Sequence, residues 1–447
     1  MAETIFAPAT APGKSAIAVI RLSGPGCADV CRRLTGCTTP PPRRATRRRL
    51  SDPVVQAPID DALVLWFPGP ASVTGEDVLE LHCHGGRAVA AALLDALAYM
   101  PGLRPADPGE FTRRAFLHGK IDLTAAEGLA DLVAAETSAQ ARQALRQLDG
   151  ELGQLYERWR SELMGSLARL EAEIDFGPDE DVPSDMVAVV RPEVARVSAE
   201  IAAHVDDQGR GERLRAGLTI AVVGPPNAGK SSLVNRLAKR DVAIVTPEAG
   251  TTRDVLEVHL DLGGYPVTVL DTAGLRAPEG RAEAEGVRRA RQRSATADLR
   301  LALFDGAHWP ELDPATLALV DQDTLVAVNK ADLGGLDEAP LVAGCHALAL
   351  SCRTGQGLDQ LLARLQERAE GLMAAGMAPL LTRARHRAAL QAAQEALVRI
   401  QGQPDGTELA LVAEELRLAL HAIGRITGRV GVEDLLDRVF SEFCIGK

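Results

Sequence analysis

Three regimes of hydrophobic patterning divide the 447-residue chain. Over residues 1–118, runs such as Ala16-Ile17-Ala18-Val19-Ile20, Ala62-Leu63-Val64-Leu65-Trp66-Phe67 and Val78-Leu79-Glu80-Leu81-His82 have the content of strands, separated by turns and one helical stretch near residues 89–97. That mixture predicts an α+β domain. From about residue 120 the period changes. Leu152, Leu155, Trp159, Leu163, Leu167, Leu170 and Ile174 recur every three or four residues and predict a long amphipathic helix, ended by Asp175, Gly177, Pro178 and Pro183. Residues 382–400 and 408–423 are again amphipathic without strand signals. Between these helical stretches, apolar runs at residues 218–223, 267–270, 325–328 and 346–350 predict strands. The expected architecture is therefore multidomain: α+β at 1–118, a discontinuous all-α helical domain at 119–215 and 372–447, and a Ras-like α/β P-loop domain inserted at 216–371. The helical stripes are read as core packing rather than as a dimer interface.

The run at 218–223 leads into Gly224-Pro225-Pro226-Asn227-Ala228-Gly229-Lys230-Ser231 and then the helix-like Ser232-Leu233-Val234-Asn235-Arg236-Leu237. This is a GxxxxGK[ST] P-loop in a strand-to-helix setting. Its backbone N–H groups can converge on phosphates, Lys230 can reach the β- and γ-phosphates, and the Ser231 hydroxyl can bind Mg²⁺. Gly250-Thr251-Thr252-Arg253-Asp254, Asp271-Thr272-Ala273-Gly274 and Asn329-Lys330-Ala331-Asp332 follow in the order a GTPase requires. Thr252 can complete the Mg²⁺ shell, Asp271 can hold the metal through water, and Gly274 can offer its N–H to the γ-phosphate. The carboxylate of Asp332 can accept from guanine N1–H and its exocyclic amine, which adenine cannot match. The nucleotide expected is GTP. Ser351-Cys352-Arg353 fits the loop that closes over the base. Leu275 stands where many GTPases carry a water-orienting glutamine. Asn227, as a cation ligand, and the acidic residues Glu279, Glu283 and Glu285 are candidate substitutes. A turn-capping asparagine and a solvated helix face account for them equally well.

Composition narrows the classes. The length suggests about three domains, and 46% hydrophobic residues suffice for their cores. No basic-then-apolar leader and no uninterrupted apolar stretch of about 18 residues is present, so a cytoplasmic protein off the membrane is expected. Seven dispersed cysteines point to reduced thiols. Neither Cys27, Cys31 and Cys37 nor His82, Cys83 and His84 has zinc-ligand spacing. A net charge of −12 argues against a general nucleic-acid coat. One basic segment, Pro40-Pro41-Pro42-Arg43-Arg44-Ala45-Thr46-Arg47-Arg48-Arg49, is read as a solvated connector in preference to an RNA phosphate contact. Cys444, three residues from Lys447, is either a reactive thiol with a lowered pKa or a buried inert one. A second class of function, a ribosome-assembly GTPase switch, draws on Gly428-Arg429-Val430-Gly431, but the strands of a KH domain are not predicted around it.

With Gly250-Thr251-Thr252-Arg253-Asp254, Asp271-Thr272-Ala273-Gly274-Leu275-Arg276 and the terminal Phe443-Cys444-Ile445-Gly446-Lys447, the chain resembles the MnmE (TrmE) family of tRNA-modification GTPases over essentially its full length. Arg21-Leu22-Ser23-Gly24, residues 75–81, His84-Gly85-Gly86, Pro108-Gly109-Glu110-Phe111 and Lys120-Ile121-Asp122-Leu123 are similar to it as well. The resemblance implies a homodimer that joins an FAD-dependent partner of the MnmG (GidA) type in a heterotetramer. Together they add an aminomethyl or carboxymethylaminomethyl group at C5 of the wobble uridine of certain tRNAs. The one-carbon unit comes from a tetrahydrofolate derivative (5-formyl or 5,10-methylene). It further implies an N-terminal folate-binding and dimerisation domain using Arg21, Glu80 and Lys120, with Lys447 reaching the same neighbourhood. It implies a K⁺ ion held by Asn227, Thr246, Thr251 and the backbone of Glu248, water orientation by Glu283 with Arg276 in the same switch, and chemistry at Cys444. Ala228, Gly229, Ser232, Thr272 and Ala273 complete the expected GTP contacts. The segment 277–282 departs from the family's pattern, so Glu285 stays open as a substitute for Glu283.

Overall fold

The computed structural model describes residues 3–176, 186–244, 257–271, 297–334, 341–374, 376, 379–404, 407–431, 433–441, 443 and 445–446. Its contacts divide the chain into two units: Met1–Ala130, Gln147–Met186 and Glu408–Lys447 form one, Asp131–Arg146 and Val187–Thr407 the other.

The first unit holds β1 (Thr4–Pro8), β2 (Ile17–Ser23), β3 (Thr46–Ser51), β4 (Pro58–Phe67), β5 (Val78–His84) and β6 (Leu103–Pro105), in the order β3-β4-β5-β2-β1-β6. Only β1 and β6 run parallel. Strand alternation sends Ile20, Leu22, Val64, Trp66, Leu79 and Leu81 to one face, where they pack with α1 (Cys27–Thr35) and α2 (Arg87–Ala98) through Cys27, Cys31, Leu34, Leu93 and Leu97. Cys27 and Cys31 lie one helical turn apart on the buried side of α1, so their spacing comes from packing. Positions of opposite parity, among them Ile17, Arg21, Leu63 and Glu80, form a second face. Ile17 is 56% and Leu63 44% exposed, so neither helix covers it there. At the β1 end of that face, Ile5 and Ala7 pack against Phe111 of α3 (Glu110–Leu117).

After α4 (Leu123–Ala134) and α5 (Ser138–Leu148), α6 (Glu151–Phe176) buries Leu152, Trp159, Leu163, Leu167 and Leu170, five positions of the expected stripe.

The second unit contains α7 (Met186–Val205), α8 (Arg210–Ala216), β7 (Leu218–Val223), α9 (Lys230–Leu237), β8 (Glu257–Leu262), β9 (Tyr265–Asp271), β10 (Leu299–Asp305), β11 (Thr324–Asn329), the pair β12 (Leu341–Val342) and β13 (Cys345–His346), and β14 (Leu348–Ala349). Its main sheet runs β14-β11-β10-β7-β9-β8, parallel except for β8. Continuous apolar runs in β7, β9, β10 and β11 match strands covered on both faces, and α9 and α10 (Leu358–Met373) supply part of that cover. β7 lies between β9 and β10, so the order reverses there and opens a ligand crevice beyond the strands' carboxyl ends. α11 (Ala384–Gly402) completes this unit. α12 (Leu409–Thr427) and α13 (Glu433–Ser441) belong to the first unit, where Arg417 of α12 pairs with Glu171 of α6 at 2.9 Å. Among the described residues no helix is long and apolar enough to cross a membrane.

The expected connector at residues 40–49 is only half a connector. Thr46–Ser51 is β3, the edge strand of the first sheet. Leu50 is the one buried residue in it, which leaves no apolar alternation to read.

Candidate functional site

β7 delivers the chain to the P-loop and α9 carries it away. Gly224 has φ 158°, and a Cβ there would press on the Leu303 carbonyl. Gly229 has φ 100°, and a Cβ would meet the Asn329 amide. The loop therefore lies against two neighbouring strands where only glycine fits. Lys230 is buried, and its ammonium donates to the carbonyls of Gly224 and Pro225 at 2.7 and 2.9 Å, which holds it at the mouth of the loop. Ser231 and Ser232 are exposed in the first turn of α9. Asp271, buried at the end of β9, pairs in register with Val222 of β7. The Ser231 hydroxyl at the start of α9 and the Asp271 carboxylate at the carboxyl end of β9 are hard oxygen donors of the kind Mg²⁺ prefers.

On the base side, Asn329 joins two loops. Its amide N–H donates to the Ala228 carbonyl at 2.7 Å and its oxygen accepts from the Cys352 backbone N–H at 3.0 Å. The Asp332 carboxylate accepts from the Ser351 hydroxyl and pairs with Arg353 at 2.6 Å. The Ser351 bond, with Arg353 beside it, holds that carboxyl below its ordinary pKa, so it is an obligate acceptor at neutral pH. Burial pushes the Cys352 thiol up to about 11, which leaves it protonated. Asn329, Lys330, Asp332, Cys352 and Arg353, with Asn227, Gly229 and Ser232, line a cleft of about 360 Å³. Sequence reasoning missed Asp305. It ends β10 opposite Asn329, accepts from Lys330 at 2.6 Å and so orients that side chain. Its signal was a carboxylate closing the apolar run 301–304, as Asp271 closes β9.

In the first unit, Arg21 of β2 and Glu80 of β5 are cross-strand partners joined at 2.9 Å. His82 meets the other Glu80 oxygen at 3.1 Å, and the Arg21 guanidinium lies 5.9 Å from the Phe111 ring. Burial raises the Glu80 pKa, but the His82 and Arg21 contacts outweigh it and the group stays below its ordinary value. Lys120 is not joined to this pair; its ammonium donates to the Pro70 carbonyl at 2.9 Å. Behind the pair, Arg114 binds Glu76 at 2.8 Å and Glu110 at 3.0 Å, Arg104 binds Glu110 at 2.6 Å, and Ser23 donates to Glu76 at 2.7 Å. This network was not anticipated. Arg104, Glu110 and Arg114 are close in sequence, but Ser23 and Glu76 are far from them, and only the fold joins the two sets.

A family model described as the MnmE helical domain matches residues 123–444, and one described as the GTP-binding protein TrmE N-terminus matches residues 4–120. The chain is 56% identical over 447 residues to the tRNA modification GTPase MnmE of Paramagnetospirillum magneticum, covering all of both chains. The chain belongs to the MnmE family. MnmE proteins of Parvibaculum lavamentivorans, 55% identical over the whole of both chains, and of Rhodospirillum rubrum, 56% identical over all of this chain and 99% of the other, are similar to it as well. Among solved structures, the G domain of the T. maritima FeoB iron transporter matches 34% of this chain and 98% of its own at 23% identity, with a TM-score of 0.24.

For this MnmE family member, the structure brings together Asn227 to Ser232, Asp271, Asn329, Lys330, Asp332 and Ser351 to Arg353 at one sheet edge and its closing loop. Thr246, Glu248, Thr251, Thr252, Thr272, Ala273, Gly274, Leu275, Arg276, Glu279, Glu283, Glu285, Cys444 and Lys447 lie outside the described residues. Among the described residues no group of three or more His, Cys, Asp or Glu is placed to hold a metal ion.

Proposed function

We propose that this chain hydrolyses GTP while it adds an aminomethyl or carboxymethylaminomethyl group at C5 of the wobble uridine of certain tRNAs. It would do so as a homodimer, with an FAD-containing partner and a tetrahydrofolate one-carbon unit. As a member of its family it is an enzyme, a GTPase of tRNA modification. The observation that carries the nucleotide reading is the Asn329 bridge from the P-loop to the closing loop, beside the ionised Asp332.

In this reading Asp332 accepts the two guanine N–H groups, and Lys230 neutralises the β- and γ-phosphates. Ser231 and Asp271, with Thr252, are the residues that would hold Mg²⁺, which would offset the charge that develops on the phosphates. Asn227, with Thr246, Thr251 and the backbone of Glu248, is the set for K⁺, a positive charge where an arginine finger otherwise acts. Glu283 orients the water, with Arg276 beside it. Arg21, Glu80, Lys120 and Lys447 are assigned to the folate; the carboxylate–guanidinium pair on a sheet face with exposed positions suits a ligand that has both amine donors and carboxylates. Cys444 is the thiol assigned to uridine chemistry.

Mass spectrometry of tRNA nucleosides from cells with and without the gene tests this. Loss of 5-aminomethyl-type wobble uridines on deletion, restored by the wild-type chain and not by Cys444→Ser, is expected. An unchanged profile sinks the reading, and equal GTPase rates in KCl and NaCl at matched ionic strength sink the K⁺ assignment.

A further inference from the structure

Strand β3 is an edge strand, paired only with β4 among the described residues. Edges are often guarded by charged side chains, lysine above all. This one has Arg47, Arg48 and Arg49 in six residues, with Arg43 and Arg44 just before it, in a chain of net charge −12. Strand alternation separates their roles. Arg48 shares the parity of buried Leu50 and turns toward the helix-covered side, where its Nε is buried without a hydrogen-bond partner. Arg47 and Arg49 share the other face and stand 76% and 66% exposed.

These two guanidiniums share one carboxylate: Asp61 accepts from Arg47 at 3.1 Å and from Arg49 at 3.0 Å. Arg43 and Arg44 are exposed beside them, and Arg43 reaches only a backbone oxygen, that of Ala71. The nearby Asp60 is taken by the backbone N–H and ring of His84, both at 2.7 Å. The edge thus holds positive charge well in excess of its local partners. Its register points toward the site already described. Arg47 lies opposite Leu63, and Leu63 opposite His82, the residue bonded to Glu80. At about 4.8 Å per strand, Arg47 is roughly 10 Å from the His82 backbone on the same sheet face.

We propose that Arg47 and Arg49, supported by Arg43 and Arg44, bind the phosphate backbone of the tRNA substrate on the sheet face that holds Arg21, Glu80 and His82. This rests on the reading that tRNA is the substrate. An open strand edge suits an extended polyanion better than a small one. A single small anion gains little from guanidiniums so exposed to water, whereas a polyanion releases a counterion at each contact. Arg47 and Arg49 lie about 6.8 Å apart along the strand, so each can take its own phosphate, and guanidiniums do so in a bidentate manner.

The test is anisotropy of fluorescent, unmodified tRNA titrated with the full-length chain at several KCl concentrations. Arg47→Gln/Arg49→Gln, Arg47→Lys/Arg49→Lys and the control Arg32→Gln/Arg33→Gln on α1 are compared with wild type. The glutamine pair is expected to bind about tenfold more weakly at 0.1 M KCl, with the slope of log K against log salt reduced by about 1.5. The lysine pair should recover most of that slope and the α1 control should match wild type. Thermal melting of the glutamine pair is expected to match wild type, so a fold defect is separable from lost charge. Wild-type binding with an unchanged slope in the glutamine pair overturns the proposal and leaves the tRNA reading standing. Self-association of the glutamine pair with tRNA binding intact overturns it in favour of a guarded edge. No wild-type binding at low salt overturns the tRNA reading and this proposal together.

Discussion

At the scale of single residues, the nucleotide site turns on Asn329. The motif marks it as a base-side residue, and the structure adds that one buried side chain satisfies a P-loop carbonyl and a closing-loop N–H. Truncation orphans both groups at about 1–3 kcal/mol. Asn329→Ala is therefore expected to weaken GDP binding by roughly 10- to 100-fold and to lower the melting temperature of the apo protein, as measured by fluorescent-nucleotide titration and calorimetry. An unchanged apo melting temperature would show that Asn329 serves the ligand alone. The motif residues were legible because each chemistry needs one residue type at one spacing. Asp305 and His82 were not, since carboxylates at strand ends and histidines within strands are common at positions that touch no ligand.

At the scale of elements, strands and helices with an apolar period could be read from the chain, and those without one could not. The stripe from Leu152 to Leu170 became α6 and the run at 218–223 became β7. β3 escaped because its faces are divided between arginines and a single buried leucine. The junction of α7 and α11 was illegible because it is an electrostatic contact between distant segments. Arg387 of α11 binds Asp207 at 2.6 Å and Glu212 at 3.3 Å beside His204 of α7. Burial, with the nearby His386 and Arg387, pulls the His204 pKa from 6.5 to about 4, against the opposing pull of Asp207. Between those values the unfolded chain takes up a proton that the folded one refuses, so stability falls as the pH drops through this window. The loss is on the order of 2–3 kcal/mol. Urea unfolding at pH 7 and pH 4.5 should show it, and His204→Gln should remove most of the difference. An equal pH dependence in the variant would exclude His204 as the cause.

At the scale of the whole molecule, the first unit draws on both ends of the chain, and its stability depends on contacts that no local pattern reveals. Phe440 of α13 is buried with its ring centroid 6.4 Å from Phe116 and 5.6 Å from Phe443, over Leu123 and Ala126. Gly109, at the start of α3, has φ 67° and lies so close to the backbone of Phe440 that an added Cβ would strike it. The last helix thus closes the unit begun by the first strand, and the apolar periodicity of residues 435–440 alone gave it no such partner. Removing a buried phenylalanine ring costs about 3–5 kcal/mol, a large part of the stability of any one domain. Phe440→Ala should accordingly lower the melting transition of the first unit by several degrees. The nucleotide site lies wholly in the second unit, so GDP affinity should stay within twofold of wild type. Differential scanning calorimetry with and without GDP separates the two transitions, because ligand raises only the one that binds it. A Phe440→Ala chain that loses GDP affinity in step with its melting temperature would show that the two units fold as one.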